Sequence, residues 1–519
     1  MIDKFDLENS EICSELLSSG RYSEALSNAK LFHNPTHQAP ILIDAGFALN
    51  KPAEIRLGIN LFNELLSSTK GINFAKSSIF YNLANGYYAI YKLKDKKRKI
   101  PIPSNDMDLR LAKKNFRKAL SELGNQRGAL ASQVFINFGN CLSSLGRFAE
   151  AINFYQLGLE KDPDNGMASG NLGIELARAA NITGRYTHEY YSLAYQMLSS
   201  TLSKDMHLKF GTQEAYQTFR QHLEYLDEII RAHKGPMPVP KPIKAFSRIK
   251  TINKYVQFCI NKGLFMNFWV GNKLLSPGIT DDISFGPIAT QTKDSELVPE
   301  MLRILNEIKE SFATARYLYF LSQNKDHFLD EISAMTFYFD YLEYGVNGMY
   351  VGLCKAAYAR AFDILDKVAR IINVYFDLGN RKSSFWKIFT EKKSFGEEHK
   401  VFFAARSEIG PFNNPSLIAL SDICIDYFDH EQVDFSTIDN RRNMITHDYL
   451  AISLFDVENI NENFINNEKF SEETLEVLQL AKNAVIYAVS SVNISEAKKS
   501  HDNKMGLISY DSIPGQPLY

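Results

Sequence analysis

The sequence predicts an all-α chain in two parts: an N-terminal right-handed solenoid of helical hairpins, then a C-terminal bundle of longer helices. Three observations carry this. Apolar residues recur at spacings of three and four through most of the chain. A pattern of small, aromatic and polar residues repeats within the first 233 positions. Finally, Pro236-Met237-Pro238-Val239-Pro240-Lys241-Pro242 alternates proline strictly. Such a segment favours an extended polyproline form and forbids helix, so it marks a boundary.

Composition narrows the class. At 519 residues the chain exceeds one ordinary core, and 45% hydrophobic residues with only 17 Pro describe globular domains. The 58 basic and 60 acidic residues nearly cancel, so any nucleic-acid contact must come from a local patch. Cys13, Cys141, Cys259, Cys354 and Cys424 lie far apart without a CxxC pair. That spacing offers neither a zinc ligand set nor a disulfide framework and suits a reducing compartment. The first residues, Met1-Ile2-Asp3-Lys4-Phe5-Asp6, begin no signal peptide. No apolar run reaches the roughly 18 residues of a membrane span. The expectation is a soluble, cytoplasmic protein with no membrane partner.

The clearest repeat is residues 131–165. It holds Phe135, Phe138-Gly139, Leu142, Gly146-Arg147-Phe148, Glu150-Ala151-Ile152, Tyr155, Leu159 and Asp162-Pro163. Glycine at 139 permits close helix approach opposite the small Ala151, and Pro163 stops the second helix. Residues 10–35 repeat the turn as Gly20-Arg21-Tyr22-x-Glu24-Ala25-Leu26, and residues 41–69 and 77–123 read as further pairs. In the latter, the basic stretch 92–99 before Pro101 and Pro103 reads as a loop. Gly170-Asn171-Leu172-Gly173 opens a fifth pair, and residues 212–233 form a capping helix. This series resembles tetratricopeptide repeats (TPR), whose period is roughly 34 residues. The resemblance implies about five hairpins over residues 1–233 and a concave groove for a protein or peptide ligand.

After the proline-rich linker at 234–244, residues 245–297 are a connecting segment of unassigned fold, with one helix at 251–262. Long helices follow at 299–323, 349–378, 416–428, 438–453 and 471–494. They fill a domain at 298–498, and a polar tail occupies 499–519. Apolar stripes define them: Met301, Ile304, Leu305, Ile308, Phe312 and Ala315 on the first, and Ala357, Ala361, Leu365, Val368 and Ile372 on the second.

The candidate chemistry lies in Ser436-Thr437-Ile438-Asp439-Asn440-Arg441-Arg442-Asn443-Met444-Ile445-Thr446-His447-Asp448-Tyr449. Ser436 and Asp439 read as a helix start. A turn of about 100° per residue puts Arg442, Asn443, Thr446 and His447 in one arc of roughly 140°. Met444 and Ile445 then face a core, and Tyr449 stands at the boundary. The pattern Arg-Asn-x-x-x-His-x-Tyr resembles the signature of HEPN domains. It is most similar to that of HEPN toxins paired with nucleotidyltransferase antitoxins, where the motif tyrosine is the residue modified by the partner enzyme.

That resemblance implies RNA cleavage without a metal or cofactor, with Arg442, Asn443 and His447 catalytic and Thr446, Asp448 and Tyr449 supporting or modifiable. Imidazole titrates near neutrality, which suits proton transfer at a ribose 2′-OH or a leaving 5′-oxygen. A guanidinium suits the scissile phosphate. The expected products are a 2′,3′-cyclic phosphate and a 5′-hydroxyl. One histidine per chain is thin for acid–base work, so the resemblance also implies a homodimer sharing one cleft. Asp363 or Asp366 is a candidate carboxylate beside His447.

Arg441 and the stretch Arg381, Lys382, Trp386 and Lys387 are the RNA-binding candidates. Cations interleaved with aromatics suit single strands, although an amphipathic loop with Phe385 and Trp386 turned inward fits the same residues. His33 and His37 flank Pro35, which breaks the helix a metal site would need. HExxH, GxxxxGK[ST], GxGxxG and GxSxG are all absent, so metalloprotease, P-loop, Rossmann and α/β-hydrolase chemistries lack support. The expected function is therefore a toxin-like or phage-defence ribonuclease cutting tRNA or mRNA under a TPR sensor. The alternative is a non-catalytic TPR adaptor whose bundle only dimerises or binds nucleotide or RNA.

Overall fold

A computed structural model describes residues 4–67, 76–203, 213–233, 249–269, 280–290, 297–324, 326–339, 344–378, 384–395, 400–428, 436–455, 463–499 and 506–508. The chain divides into two compact units. One comprises Met1–Ala179 with Tyr190–Pro238, the other Ala180–Glu189 with Val239–Tyr519. The proline-rich stretch lies outside the described residues.

The first unit is a series of helical hairpins. In order these are α1 (Lys4–Ser18) with α2 (Tyr22–Ala29), α3 (Pro35–Ala48) with α4 (Pro52–Ser67), and α5 (Lys76–Arg98) with α6 (Met107–Leu123). The pair α7 (Ala129–Ser144) with α8 (Phe148–Lys161) follows. Helix α9 (Gly166–Thr183) and α10 (Thr187–Ser203) form the fifth pair, and α11 (Gln213–Ala232) comes last. The tip of the fifth pair, Ala180–Glu189, belongs to the second unit.

Local chemistry explains the hairpins. Gly20 and Gly146 both turn with positive φ, 77° and 75°, a conformation that costs glycine little. The arginine that follows each pairs with the glutamate three residues on, as Arg21–Glu24 and Arg147–Glu150. The alanine after each glutamate, Ala25 or Ala151, is fully buried. A Cβ on Gly139 would stand 2.6 Å from the Tyr155 ring, so the glycine lets α7 approach α8 closely and makes room for the Tyr155 side chain. Gly170 likewise makes room for the buried Phe219 of α11.

The basic stretch expected as a loop at 92–99 is instead the end of α5, which runs to Arg98. Tertiary pairing explains the extension. Lys94 Nζ reaches Asp106 Oδ2 at 2.8 Å and Asp108 Oδ2 at 2.5 Å at the start of α6. His37 stacks on Phe32 with ring centroids 6.1 Å apart, and Asp6 accepts the backbone N–H groups of His33 and Asn34. Both histidines serve an inter-helix turn.

Beyond Ala180–Glu189, the described part of the second unit runs from α12 (Lys250–Lys262) to β1 (Ile288–Thr290). Then come α13 (Leu297–Gln323), α14 (His327–Ala334), α15 (Met349–Phe376) and α16 (Phe385–Phe389). They are followed by β2 (Thr390–Phe395), β3 (Lys400–Ala405), α17 (Pro415–Phe428) and α18 (Ser436–His447). The chain continues through β4 (Ala451–Ser453), β5 (Phe464–Asn466), α19 (Asn467–Lys498) and β6 (Gly506–Ile508). Helix α15 lies between α13 and α19, and α17 packs on α19. Their stripes form the core: Ile308 and Phe312, Ala361 and Val368, Leu420 and Ile423, and Ala481 and Val485 are all fully buried.

The strands make small pairs only, β1 with β6 and β2 with β3 antiparallel, and β4 with β5 parallel. The segment after α12, which the pattern left unassigned, is fastened by Arg316 of α13. Its guanidinium donates to Asp281 Oδ1 and Oδ2 at 2.8 and 2.7 Å, to Leu264 O and to Tyr255 Oη. Among the described residues no helix is long and apolar enough to cross a membrane.

One predicted helix ends early. The motif helix, expected to run to Ser453, stops at His447, and Ala451–Ser453 forms β4. Ile452 pairs with Ile465 while its carbonyl accepts Val346 N–H at 2.7 Å. Strand pairing on both edges overrides continuation of the helix.

Candidate active site

Helix α18 packs against α15 and α17. Its inward face is unusual, because among its described side chains the most deeply buried is Arg441, 8% exposed. Arg441 lies beside Glu473 of α19, with Nη2 donating to Oε1 at 2.9 Å and Nε 2.5 Å from Oε2. Burial raises the Glu473 pKa despite the cation beside it. Arg441 is therefore a structural anchor and not the surface RNA contact that the sequence suggested. Met444 and Ile445, expected in the core, are only partly buried. The side chains of Ser436 and Asp439, expected to start the helix, lie outside the described residues.

One step along the helix, Arg442 turns toward α15. Its guanidinium carbon sits 5.5 Å from the centre of the Phe362 ring, and Nη2 lies 3.6 Å from Asp363 Oδ1. The side chain keeps 27% of its surface in solvent and Asp363 keeps 54%. This pair is open enough for a phosphate to compete with the carboxylate for the guanidinium. Asp363 thus accompanies Arg442, and Asp366, the other candidate carboxylate, is used elsewhere: it accepts Phe385 N–H at 2.9 Å at the start of α16.

Asn443, Thr446, His447 and Asp448 are exposed. Asn443 Oδ1 stands 3.5 Å from Arg442 Nη1, and the Thr446 hydroxyl donates back to Arg442 O at 2.8 Å. His447 is the last residue of α18, and among the described residues no group hydrogen-bonds its ring. Asp448 N–H closes the turn on Met444 O. Tyr449 lies past the helix end and is 54% exposed, so it is no core tyrosine. Next to it, the Leu450 carbonyl accepts from Lys355 Nζ. Phe362, Lys355 and Glu473 were missed by sequence reasoning, since nothing local ties them to the motif.

Arg381 and Lys382 lie outside the described residues. Trp386 and Lys387 are on α16, with the lysine ammonium 5.4 Å from the indole centre.

The first unit holds a separate polar groove of about 530 Å³. Asn137 Nδ2 donates to Asn85 Oδ1, and Asn171 Nδ2 donates to Asn140 Oδ1, both at 3.0 Å. Tyr81 ties the first pair together, accepting from Asn137 Nδ2 at 3.0 Å and hydrogen-bonding Asn85 as well, while among the described residues the second pair leaves Asn140 Nδ2 as a donor and Asn171 Oδ1 as an acceptor on the groove wall. Asp44 lines the same groove. Solvent reaches it, yet the protein crowding around it raises its pKa to about 6.

The family model described as LA2681-like HEPN matches residues 292–495. The match supports a HEPN domain over α13 to α19. No curated protein matches the chain. Two solved structures are similar at low identity. The crystal structure of BtubC (BKLC) from P. vanneervenii is 14% identical, covering 45% of this chain and 99% of that one, at a TM-score of 0.25. The C-terminal part of a TPR repeat-containing protein from Cytophaga hutchinsonii is 12% identical, covering 42% and 95%, at 0.18. At these scores neither says anything about function.

The Arg441–Glu473 pair gives a test of how α18 is held. Arg441→Ala leaves a buried carboxylate unpaired and is expected to cost about 3–5 kcal/mol at neutral pH. Glu473 already has a raised pKa in the folded chain, and losing the cation raises it further. Protonation removes the unpaired charge, so the loss is expected to shrink as pH falls through that pKa. Thermal melts from neutral to acid pH read this directly. A pH-independent loss, or none, would contradict the anchor role.

Proposed function

We propose that the C-terminal bundle is a metal-independent endoribonuclease and that the helical hairpins regulate it. The observation that carries this reading is an exposed His447 on the helix whose Arg442 is pre-oriented by Phe362 and Asp363, inside a region that matches a HEPN family model. His447 takes the proton of a ribose 2′-OH, and the 2′-oxygen attacks the adjacent phosphorus. The bond to the 5′-oxygen breaks, and that oxygen takes up a proton. Arg442 holds the phosphate and offsets the charge that builds on it, while Asn443 sits within reach of the same oxygens. The products are a 2′,3′-cyclic phosphate and a 5′-hydroxyl. A toxin-like or defence role, with tRNA or mRNA as target, and modification of Tyr449 extend this reading from the motif's resemblance alone.

One imidazole can remove a proton or donate one, and a second copy of the chain supplies the other. A second feature supports a homodimer. Phe328, Met335, Phe337, Phe339, Tyr344 and Phe455 are all exposed, Phe337 and Phe339 by 95% and 94%. They lie around α14, the start of α15 and the end of β4, where Tyr344 meets Phe455 at 5.1 Å. At roughly 150–250 Å² per aromatic side chain, their exposed parts offer several hundred Å² of apolar surface.

In the hairpin unit, residues 1–233, the donor and acceptor left by the Asn140–Asn171 pair match the C=O and N–H of an extended peptide. We assign the groove to such a ligand. Residues 298–498 carry the chemistry, and the proline-rich segment separates the two roles.

Three measurements test these readings. Wild-type chain in EDTA is expected to cut RNA to cyclic-phosphate ends, with His447→Ala and Arg442→Ala slower by about 10²-fold or more. Equal cleavage by wild type and His447→Ala would leave the non-catalytic adaptor as the better account. Sedimentation is expected to give a dimer that Phe337→Asp with Phe339→Asp turns into a monomer, and a wild-type monomer would remove the shared cleft. Decapeptides selected from a displayed random library on the full chain are expected to bind Asn171→Ala about fivefold more weakly, the worth of one hydrogen bond. Failure to select any, or unchanged affinity, would sink the groove assignment.

A further inference from the structure

Helix α16 and the β2–β3 hairpin carry a cluster that the phosphate chemistry of Arg442 and His447 does not use. Trp386 and Phe403 meet edge to face with centroids 6.3 Å apart and planes at 83°. Each ring has an ammonium over it: Lys387 Nζ at 5.4 Å from Trp386 and Lys392 Nζ at 5.6 Å from Phe403. Strand register sets the second pair, since Lys392 stands directly across from Phe403. Both rings are half-buried and both lysines exposed. Neither lysine has an ion-pair partner among the described residues, whereas their neighbours Lys393 and Glu391 pair with each other at 3.0 Å.

The scaffold beneath is rigid. Phe385, Ile388 and Phe389 are buried, Thr390 donates to Trp386 O at 2.7 Å, and Arg406 N–H bonds Phe389 O at 3.0 Å. The rings are therefore held in place before any ligand arrives.

From this arrangement we infer that the α16–β2–β3 surface is a binding site for single-stranded nucleic acid, one base stacking on Trp386 and flanking phosphates meeting Lys387 and Lys392. Every base has a π-face, so this recognition tolerates any sequence. A paired strand hides its bases in the duplex, so stacking excludes it. Two cations aligned over aromatic rings favour a polyanion over an apolar peptide. The inference rests on the ribonuclease reading for its biological sense, where the site holds the strand while its phosphate is cut elsewhere. Its physical content is independent of cleavage.

The test uses full-length chain and fluorescein-labelled dT12, which lacks the 2′-OH and cannot be cut by the proposed chemistry. Anisotropy is expected to show binding, with a hairpin duplex of equal length bound more weakly. Trp386→Ala is expected to weaken binding about 5- to 150-fold, the range for losing one stacked base, with Trp386→Phe in between. Lys387→Ala with Lys392→Ala is expected to flatten the slope of log affinity against log salt by about 1.4, at ~0.7 per phosphate contact. Both lysines are exposed, so this double variant folds even if Trp386→Ala does not. The chain has 2 Trp, and Trp269 is buried at 8% exposure, so quenching by dT12 reports on Trp386.

Absence of dT12 binding overturns the inference, as does unchanged affinity and salt slope in both variants. A chain that binds dT12 through Trp386 but cuts no RNA would keep this site and reject the nuclease, and the reverse pattern would do the opposite.

Discussion

The Arg441–Glu473 pair is what the candidate chemistry hangs on. Helix α18 has 12 residues, and isolated helices of that length are marginal. Its partly buried Met444 and Ile445 give it little apolar grip. A charge pair nearly closed to solvent supplies the rest, fixing the helix to α19 both in position and in rotation. Rotation matters most, because Arg442 is the next residue. With Arg441 turned inward, the step of about 100° sends Arg442 toward α15, where Phe362 and Asp363 receive it. The same rotation leaves Asn443 and His447 in solvent.

That arrangement needs firm walls. Helices α15 and α19 are long and buried along most of their inner faces, and α13 brings Arg316, whose bonds to Asp281, Leu264 and Tyr255 pin an irregular segment. A buried cation with this many partners is costly to disturb. The walls thus hold α18 and the α16 platform on one scaffold. In the reading proposed above, the two surfaces divide the work, with charge and proton transfer at α18 and base stacking at α16.

The hairpin unit differs in kind. Its groove is lined by amides and hydroxyls together with the carboxylates of Asp44 and Glu175. Half-satisfied amides in a concave wall are sites for a ligand main chain. That is consistent with recognition in one unit and reaction in the other.

Much of the fold could be read from residue order. Periodic apolar stripes located α13, α15, α17 and α19 to within a few residues, because burial against neighbours demands that spacing whatever the neighbours are. The glycine turns at 20 and 146 were legible for an equally local reason, as positive φ favours glycine. The motif was legible as a set of residue types in sequence.

Tertiary contacts decided the rest. Ion pairing of Lys94 with Asp106 and Asp108 carried α5 through a basic stretch that looks like a loop. Strand pairing ended α18 at His447 and left Tyr449 in solvent. The buried carboxylate of Glu473 turned Arg441 from a surface cation into an anchor, and Asp363 proved to be the partner of Arg442. Sequence by itself located the long helices and singled out the candidate side chains. Only the tertiary structure decided which way those side chains face, because the groups that orient them lie on other helices, 32 residues away for Glu473 and Arg441.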